Sequence, residues 1–196
     1  MSFRLGLTGS IGMGKSTTAK LFAEAGCDVW DADAAVHRLY ARGGAAVAPM
    51  QAAFPGAIVD GEVSRAALKT IIGEDSGALN RIEAIVHPLV AEDRAEFAEK
   101  ASTDILVFDI PLLFETGGNE RMDAVVVVSV DAEVQRRRVL ERGTMTEAQL
   151  ETILAKQVPD AEKRAMADYV IVTDTPDHAK EQVEAVVADI RGKRNA

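Results

Sequence analysis

One stretch near the N-terminus constrains this chain more than any other feature. Gly9-Ser10-Ile11-Gly12-Met13-Gly14-Lys15-Ser16 fits the pattern G-x-x-x-x-G-K-[ST] throughout. It follows a short apolar segment, Phe3–Leu7, that reads as a strand, and it opens a helical pattern from Ser16 to Ala25. Gly26 stands where a helix commonly stops. The glycines admit backbone conformations that a Cβ would obstruct. Successive N–H groups can then converge on phosphate oxygens at the positive end of the helix. In such a loop Lys15 sets a point charge on the β and γ phosphates, and the Ser16 hydroxyl is a ligand for Mg²⁺. The loop implies a nucleoside triphosphate and leaves the fate of its γ-phosphate to other residues.

The remaining pattern is that of an α/β chain. Cys27–Trp30 reads as a second strand, ending in Asp31-Ala32-Asp33. Residues 34–100 are mostly helical, interrupted at Pro55-Gly56 and Asp60-Gly61, with Pro88 expected to kink a long segment. Ile105–Ile110 and Ala124–Val130 are continuous apolar runs, which suit strands buried on both faces of a parallel sheet. Asp131–Arg142 and Thr146–Gln157 read as helices, the second with the capping-box spacing of Thr146 and Gln149. Tyr169–Val172 is a last strand, and Thr175-Pro176 opens a C-terminal helix. This order predicts a doubly wound, mostly parallel five-stranded sheet with helical insertions. No repeat, low-complexity tract or linker marks a boundary, so residues 1–196 read as one domain.

Composition narrows the partners. With 22 Lys and Arg against 31 Asp and Glu, the formal charge is −9. A general nucleic-acid or anionic-membrane binder would be repelled overall, so a polyanionic ligand needs a local site. Cys27 is the single cysteine, which excludes an internal disulfide and a cysteine-based zinc cluster. No apolar run approaches membrane-spanning length, and Met1–Thr18 lacks the apolar core of a signal peptide. The expectation is a cytoplasmic protein; the sequence sets no oligomeric state.

In an open parallel sheet, ligands gather outside the carboxyl ends of the strands. Asp31, Asp33 and Asp109 stand at such ends. Asp33 is the better candidate for taking or orienting a hydroxyl proton from an acceptor, although an acid there can also cap the following helix. Asp109 is placed like an acid that holds Mg²⁺, often through water. Arg138 and Arg142, four apart and on one helical face, suit the spread charge of a transferring phosphoryl group or stacking on adenine. Gly143–Gln157 beyond them reads as a lid that excludes water. His37, His87 and His178 have no metal-ligand spacing, and Trp30 reads as packing.

These residues carry a resemblance that runs nearly end to end. It includes Leu7-Thr8-Gly9 leading into Gly12-Met13-Gly14-Lys15-Ser16-Thr17, then Val29-Trp30-Asp31-Ala32-Asp33, Leu79-Asn80 and His87-Pro88. It continues through Asp109-Ile110-Pro111-Leu112-Leu113-Phe114-Glu115, Gln135 with Arg138 and Arg142, Gln157, and Ala167-Asp168-Tyr169-Val170-Ile171. The chain resembles the dephospho-CoA kinase family. That resemblance implies a P-loop nucleotide-kinase core that passes the γ-phosphate of ATP, with Mg²⁺, to the ribose 3′-hydroxyl of dephospho-coenzyme A.

It also implies a helical substrate region at roughly 41–103 and a lid at roughly 134–165. Carried over by position, Gly12, Met13, Gly14, Lys15, Ser16 and Thr17 bind ATP, and Asp33 activates the hydroxyl. Arg138 and Arg142 serve from the lid side, Ser16 and Asp109 hold the metal, and His87, Leu112, Leu113 and Glu115 border the acceptor. Ser10 and Met13 stand where the family has glycine and serine, and Thr173-Asp174-Thr175 replaces an asparagine followed by a glycine-containing turn.

Two other readings share part of the pattern. A kinase of another small acceptor, such as a nucleoside monophosphate or a shikimate-like alcohol, would share loop and lid but need different acceptor residues. A nucleotide-hydrolysing switch would need no acceptor; the absence of an Asn-Lys-x-Asp guanine signature and the presence of the lid arginines count against it.

Overall fold

The computed structural model describes residues 2–194. In chain order the elements are β1 (Phe3–Thr8), α1 (Lys15–Glu24), β2 (Asp28–Asp31), α2 (Ala32–Tyr40), α3 (Val47–Ala53), β3 (Ile58–Val59), β4 (Glu62–Val63), α4 (Arg65–Glu74) and α5 (Ala78–Lys100). There follow β5 (Ile105–Asp109), β6 (Ala124–Ser129), α6 (Ala132–Glu141), α7 (Glu147–Leu154), α8 (Asp160–Met166), β7 (Tyr169–Val172) and α9 (Pro176–Arg194). They divide between two compact units. One is formed by the chain up to Trp30 and from Ala101 onward, the other by Asp31–Lys100.

The first unit is built on a five-stranded sheet of order β2-β5-β1-β6-β7. β1 pairs in parallel with β5 and β6, and β6 with β7. Alternation along each strand sends side chains to opposite faces. Leu5, Leu7, Val107, Val126 and Val128 pack on one face with Phe22 of α1 and Val183, Val187 and Ile190 of α9. Val125 and Val127 point the other way and pack on Leu113. Burial on both faces explains why β5 and β6 read as unbroken apolar runs. Trp30 is buried, its ring 6.2 Å from that of Phe108, in the packing role expected for it. The register pairs Leu7 with Asp109. Asp109 and the residues after Thr8 therefore leave the sheet side by side at its carboxyl edge.

The second unit is mainly helical, around Leu39, Met50, Phe54, Leu68, Ile82 and Val86. The interruptions seen in the sequence are a single 3₁₀ turn at Pro55–Ala57 and a small antiparallel hairpin pairing Ile58 with Val63. Its strands of two residues are too short to display a period of two, and their one local signal is the Asp60-Gly61 turn that joins them. Asp31 ends β2 and caps α2, accepting a hydrogen bond from the Ala34 N–H at 2.9 Å. Asp33, in the first turn, is thereby released from the capping role that the sequence also allowed it.

Two helix boundaries differ from expectation. α5 runs through Pro88 as one helix of 23 residues, so the proline does not divide it. The helix opened by the Thr146–Gln149 capping box, both bonds of which are made, ends at Leu154, and α8 follows as a separate helix. No helix among the described residues is long and apolar enough to cross a membrane.

Candidate functional site

The first unit supplies a phosphate loop whose shape is fixed from several sides. Gly12 and Gly14 adopt φ values of 78° and 90°, in the left-handed region that favours glycine. A Cβ at Gly12 would lie 2.5 Å from Val139 Cγ2, and one at Gly14 would lie 2.9 Å from Thr173 Oγ1. The peptide of Ile11 is gripped at both ends. Its N–H donates to Gln157 Oε1 at 3.4 Å, and its carbonyl accepts from Gln135 Nε2 at 2.7 Å. Two residues on, the Met13 carbonyl accepts from the Thr173 hydroxyl at 2.7 Å. Met13 is buried and its Sδ accepts from the Val130 N–H at 3.2 Å, so its side chain anchors the loop to the end of β6.

Lys15 begins α1, and its ammonium is ion-paired with Asp109 at the end of β5. Asp109 is almost wholly buried. Ser16 and Thr17 follow in the first turn of α1, both exposed. Arg138 donates to the Thr173 carbonyl at 2.6 Å and to its hydroxyl at 3.2 Å. That places Arg138 on the residue that also holds Met13. Beside the loop lies a cavity of about 230 Å³, lined by Gly12, Gly14, Thr17, Arg138, Arg142, Thr173 and Pro176 among others. Here the loop and the two arginines of the α6 end are brought together. Thr173, the departure from the family pattern, sits at their junction.

The segment after β5 is held by a buried ion pair. Glu115 Oε1 lies 2.8 Å from Lys163 Nζ and accepts from the Val158 N–H at 2.9 Å. Burial alone would raise the Glu115 carboxyl, but hydrogen bonds from Lys163, its own backbone N–H and Val158 outweigh it and leave the group below the ordinary glutamate range. Leu113 is fully buried against Val125 and Val127, and Leu112 is exposed.

The second unit holds a larger cavity, of about 530 Å³. Asp33 and His87 both line it, so α2 and α5 bring these two together. Its walls are otherwise largely apolar, with Val36, Leu68, Ile72, Ile82 and Val86. Arg65 and Lys69, one turn apart on α4, supply positive charge, and the Arg65 guanidinium lies 5.7 Å from the centre of the Tyr40 ring. Leu112, Leu113 and Glu115 belong to the other unit.

The sequence does not single out Lys163, Arg65 or Lys69, and it marks Thr173, Gln135 and Gln157 only through the family resemblance, Thr173 as a departure from it. Their partners are remote in sequence, Gln135 standing 124 positions after Ile11 and Thr173 standing 160 after Met13. The one local signal was the turn after β7, where Thr173 replaces the family's asparagine.

Comparison of the sequence with known proteins points to one family. A family model described as Dephospho-CoA kinase matches residues 3–178. The dephospho-CoA kinase of Ruegeria pomeroyi is 69% identical over 191 residues, 97% of each chain. That of Jannaschia sp. (strain CCS1) is 58% identical over 97% of this chain and 98% of its own. Among solved structures, TT1252 from Thermus thermophilus superposes with a TM-score of 0.84 at 32% identity, covering 96% of this chain and 97% of that one. With a complete phosphate loop at the carboxyl edge of a parallel sheet, the chain belongs to the dephospho-CoA kinase family.

Proposed function

We propose that this protein transfers the γ-phosphate of ATP to the ribose 3′-hydroxyl of dephospho-coenzyme A, giving coenzyme A and ADP, the last step of coenzyme A synthesis. The observation that carries this is the phosphate loop of a dephospho-CoA kinase family chain, with Lys15 and Asp109 already paired beside it. The backbone N–H groups of Gly12 to Thr17 cradle the β and γ phosphates, and Lys15 turns from Asp109 onto them. The adenine enters the 230 Å³ cavity, where Pro176 offers an apolar face and Arg142 a guanidinium plane. The region around 134–165 serves as a lid, and the exclusion of water keeps ATP from hydrolysis.

The acceptor occupies the cavity of the helical unit, whose lining comes partly from the region expected at about 41–103 and partly from Ala32, Asp33, Val36 and Tyr40 before it. Asp33 accepts the proton of the 3′-hydroxyl as its oxygen bonds to the γ-phosphorus and the bond from that phosphorus to the β,γ-bridging oxygen breaks. Arg138 and Arg142 offset the charge that spreads over the transferring group. His87 borders the acceptor. So does Leu112, with Leu113 and Glu115 holding its segment from behind.

Mg²⁺ suits the residues present. No cluster of three or more His, Cys, Asp or Glu side chains that could hold a metal occurs among the described residues. The cation would rest mainly on the nucleotide phosphates, with the Ser16 hydroxyl and the Asp109 carboxylate as the protein's oxygens, as Mg²⁺ prefers. When bound it supplies neutralisation of phosphate charge. The chain works in the cytoplasm and binds neither nucleic acid nor membrane.

The test is ADP release from Mg-ATP with dephospho-coenzyme A, run beside UMP, CMP, AMP, shikimate and no acceptor. Release that depends on dephospho-coenzyme A supports the reading. Release with another acceptor points to a different small-molecule kinase, and release with none to a nucleotide-hydrolysing switch.

A further inference from the structure

In a trans peptide the carbonyl of one residue and the N–H of the next point in opposite directions. No cis peptide occurs among the described residues, so whatever holds a carbonyl also aims the following N–H. In the phosphate loop, two carbonyls separated by one residue are held by side chains from outside. Gln135 Nε2 donates to the Ile11 carbonyl and Thr173 Oγ1 to the Met13 carbonyl, each at 2.7 Å. Gln135 and Thr173 are only 6% and 7% exposed, so water competes little for either bond. The N–H groups aimed by these bonds are those of Gly12 and Gly14, the two loop residues with positive φ.

We propose that Gln135 and Thr173 are positioning residues for nucleotide binding: by holding the carbonyls of Ile11 and Met13 they turn the Gly12 and Gly14 N–H groups onto the phosphates before ATP arrives. This rests on reading the loop as the ATP site. Both act through the loop backbone, and Thr173 in addition lines the 230 Å³ cavity beside the loop. A loop lacking one of these bonds samples orientations in which a donor faces away. The nucleotide must then supply the ordering that the side chain supplied before, and its affinity falls. Thr173 also receives Arg138, so the residue that aims the Gly14 N–H is itself held from the lid side.

The test uses variants that keep shape and remove the donor. Thr173→Val replaces the hydroxyl with a methyl, Thr173→Ser restores the hydroxyl, and Gln135→Glu exchanges the donating amide for an acceptor. The Arg138 bond to the Thr173 carbonyl does not depend on the side chain and remains in all three. MgADP affinity by calorimetry, KM for ATP, KM for dephospho-coenzyme A and the unfolding temperature without nucleotide are measured for each.

Thr173→Val and Gln135→Glu are expected to weaken MgADP binding about tenfold each, the scale of one net hydrogen bond. KM for ATP should rise in step while KM for dephospho-coenzyme A stays put, and Thr173→Ser should bind as the parent does. Unchanged MgADP affinity in Thr173→Val and Gln135→Glu overturns the proposal. So does a Thr173→Ser variant as weak as Thr173→Val, or a fall in unfolding temperature that raises both KM values together. If the parent protein itself fails to bind MgADP, the ATP-site reading falls and takes the proposal with it.

Discussion

Lys163 Nζ lies 2.8 Å from Glu115 Oε1, and the lysine is wholly buried. Two charges withdrawn from water hold each other there, and the same carboxylate oxygen receives the Val158 N–H. The pair therefore ties α8 and the segment before it to the stretch following β5. Removing one partner leaves the other charged and buried, which costs about 3–5 kcal/mol. Lys163→Met should lose stability on that scale in urea unfolding. Adding Glu115→Leu to it should recover most of the loss, because an apolar pair of similar volume avoids the desolvation cost.

The same pair sets a pH dependence. Burial raises the Glu115 carboxyl, but the hydrogen bonds to it prevail and hold it below the ordinary range when folded. A carboxyl depressed on folding contributes stability that is complete above its unfolded value, roughly pH 4.3, and is lost as pH falls through the folded value. The stability gap between the parent and Glu115→Gln should be constant near neutrality and shrink on acidification below about pH 4.3. A gap that widens in acid would mean that the pair is not ionised in the fold.

Asp33 is exposed in the first turn of α2 and lines the 530 Å³ cavity, while Asp31 performs the capping. Asp33→Asn should therefore fold and bind ATP normally. It should lose phosphoryl transfer by roughly a hundred- to ten-thousand-fold, the usual worth of a general base. Asp31→Asn should lose little transfer, since an asparagine caps a helix as well as an aspartate. Full activity in Asp33→Asn would remove Asp33 from the mechanism.

Arg65 and Lys69 bring positive charge to a cavity whose lining also includes Asp33, Glu83 and His87. Dephospho-coenzyme A carries a diphosphate, and a guanidinium binds phosphate oxygens through two parallel donors. Arg65→Ala should raise KM for dephospho-coenzyme A about tenfold or more while KM for ATP is unchanged, given about 1.5–3 kcal/mol for a charge-assisted hydrogen bond. Tyr40→Phe, which keeps the ring beneath the guanidinium 5.7 Å away, should behave almost as the parent. A rise in both KM values for Arg65→Ala would show the arginine to be structural.

Cys27 lies just before β2, and burial pushes its thiol up to about 11, against a partial offset from Arg191. It should stay protonated at pH 8 and react with a thiol reagent in the native protein far more slowly than in the unfolded chain. Rapid native labelling would contradict the packing around β2.

What the sequence made legible was local. The phosphate loop, the apolar runs of β5 and β6 and the capping box at Thr146 each follow from residues within one or two turns of each other, and each is found in the fold. The parallel sheet followed from runs with no polar alternation. Short strands such as β3 and β4 carry too few residues for a period. Pro88 marks no boundary, since α5 continues through it as one helix. The contacts of Gln135, Thr173 and Lys163 were beyond reach because their partners are remote in sequence.

The most direct measurement of the central claim is to find where the phosphate goes. The protein would be incubated with Mg-ATP and dephospho-coenzyme A, and the product examined by mass spectrometry and by proton and phosphorus NMR of its ribose. The account predicts one new monophosphate ester on the ribose 3′-oxygen, in amounts equal to the ADP formed and abolished by Asp33→Asn. ADP without phosphorylated acceptor, or phosphate attached at another oxygen, would contradict it.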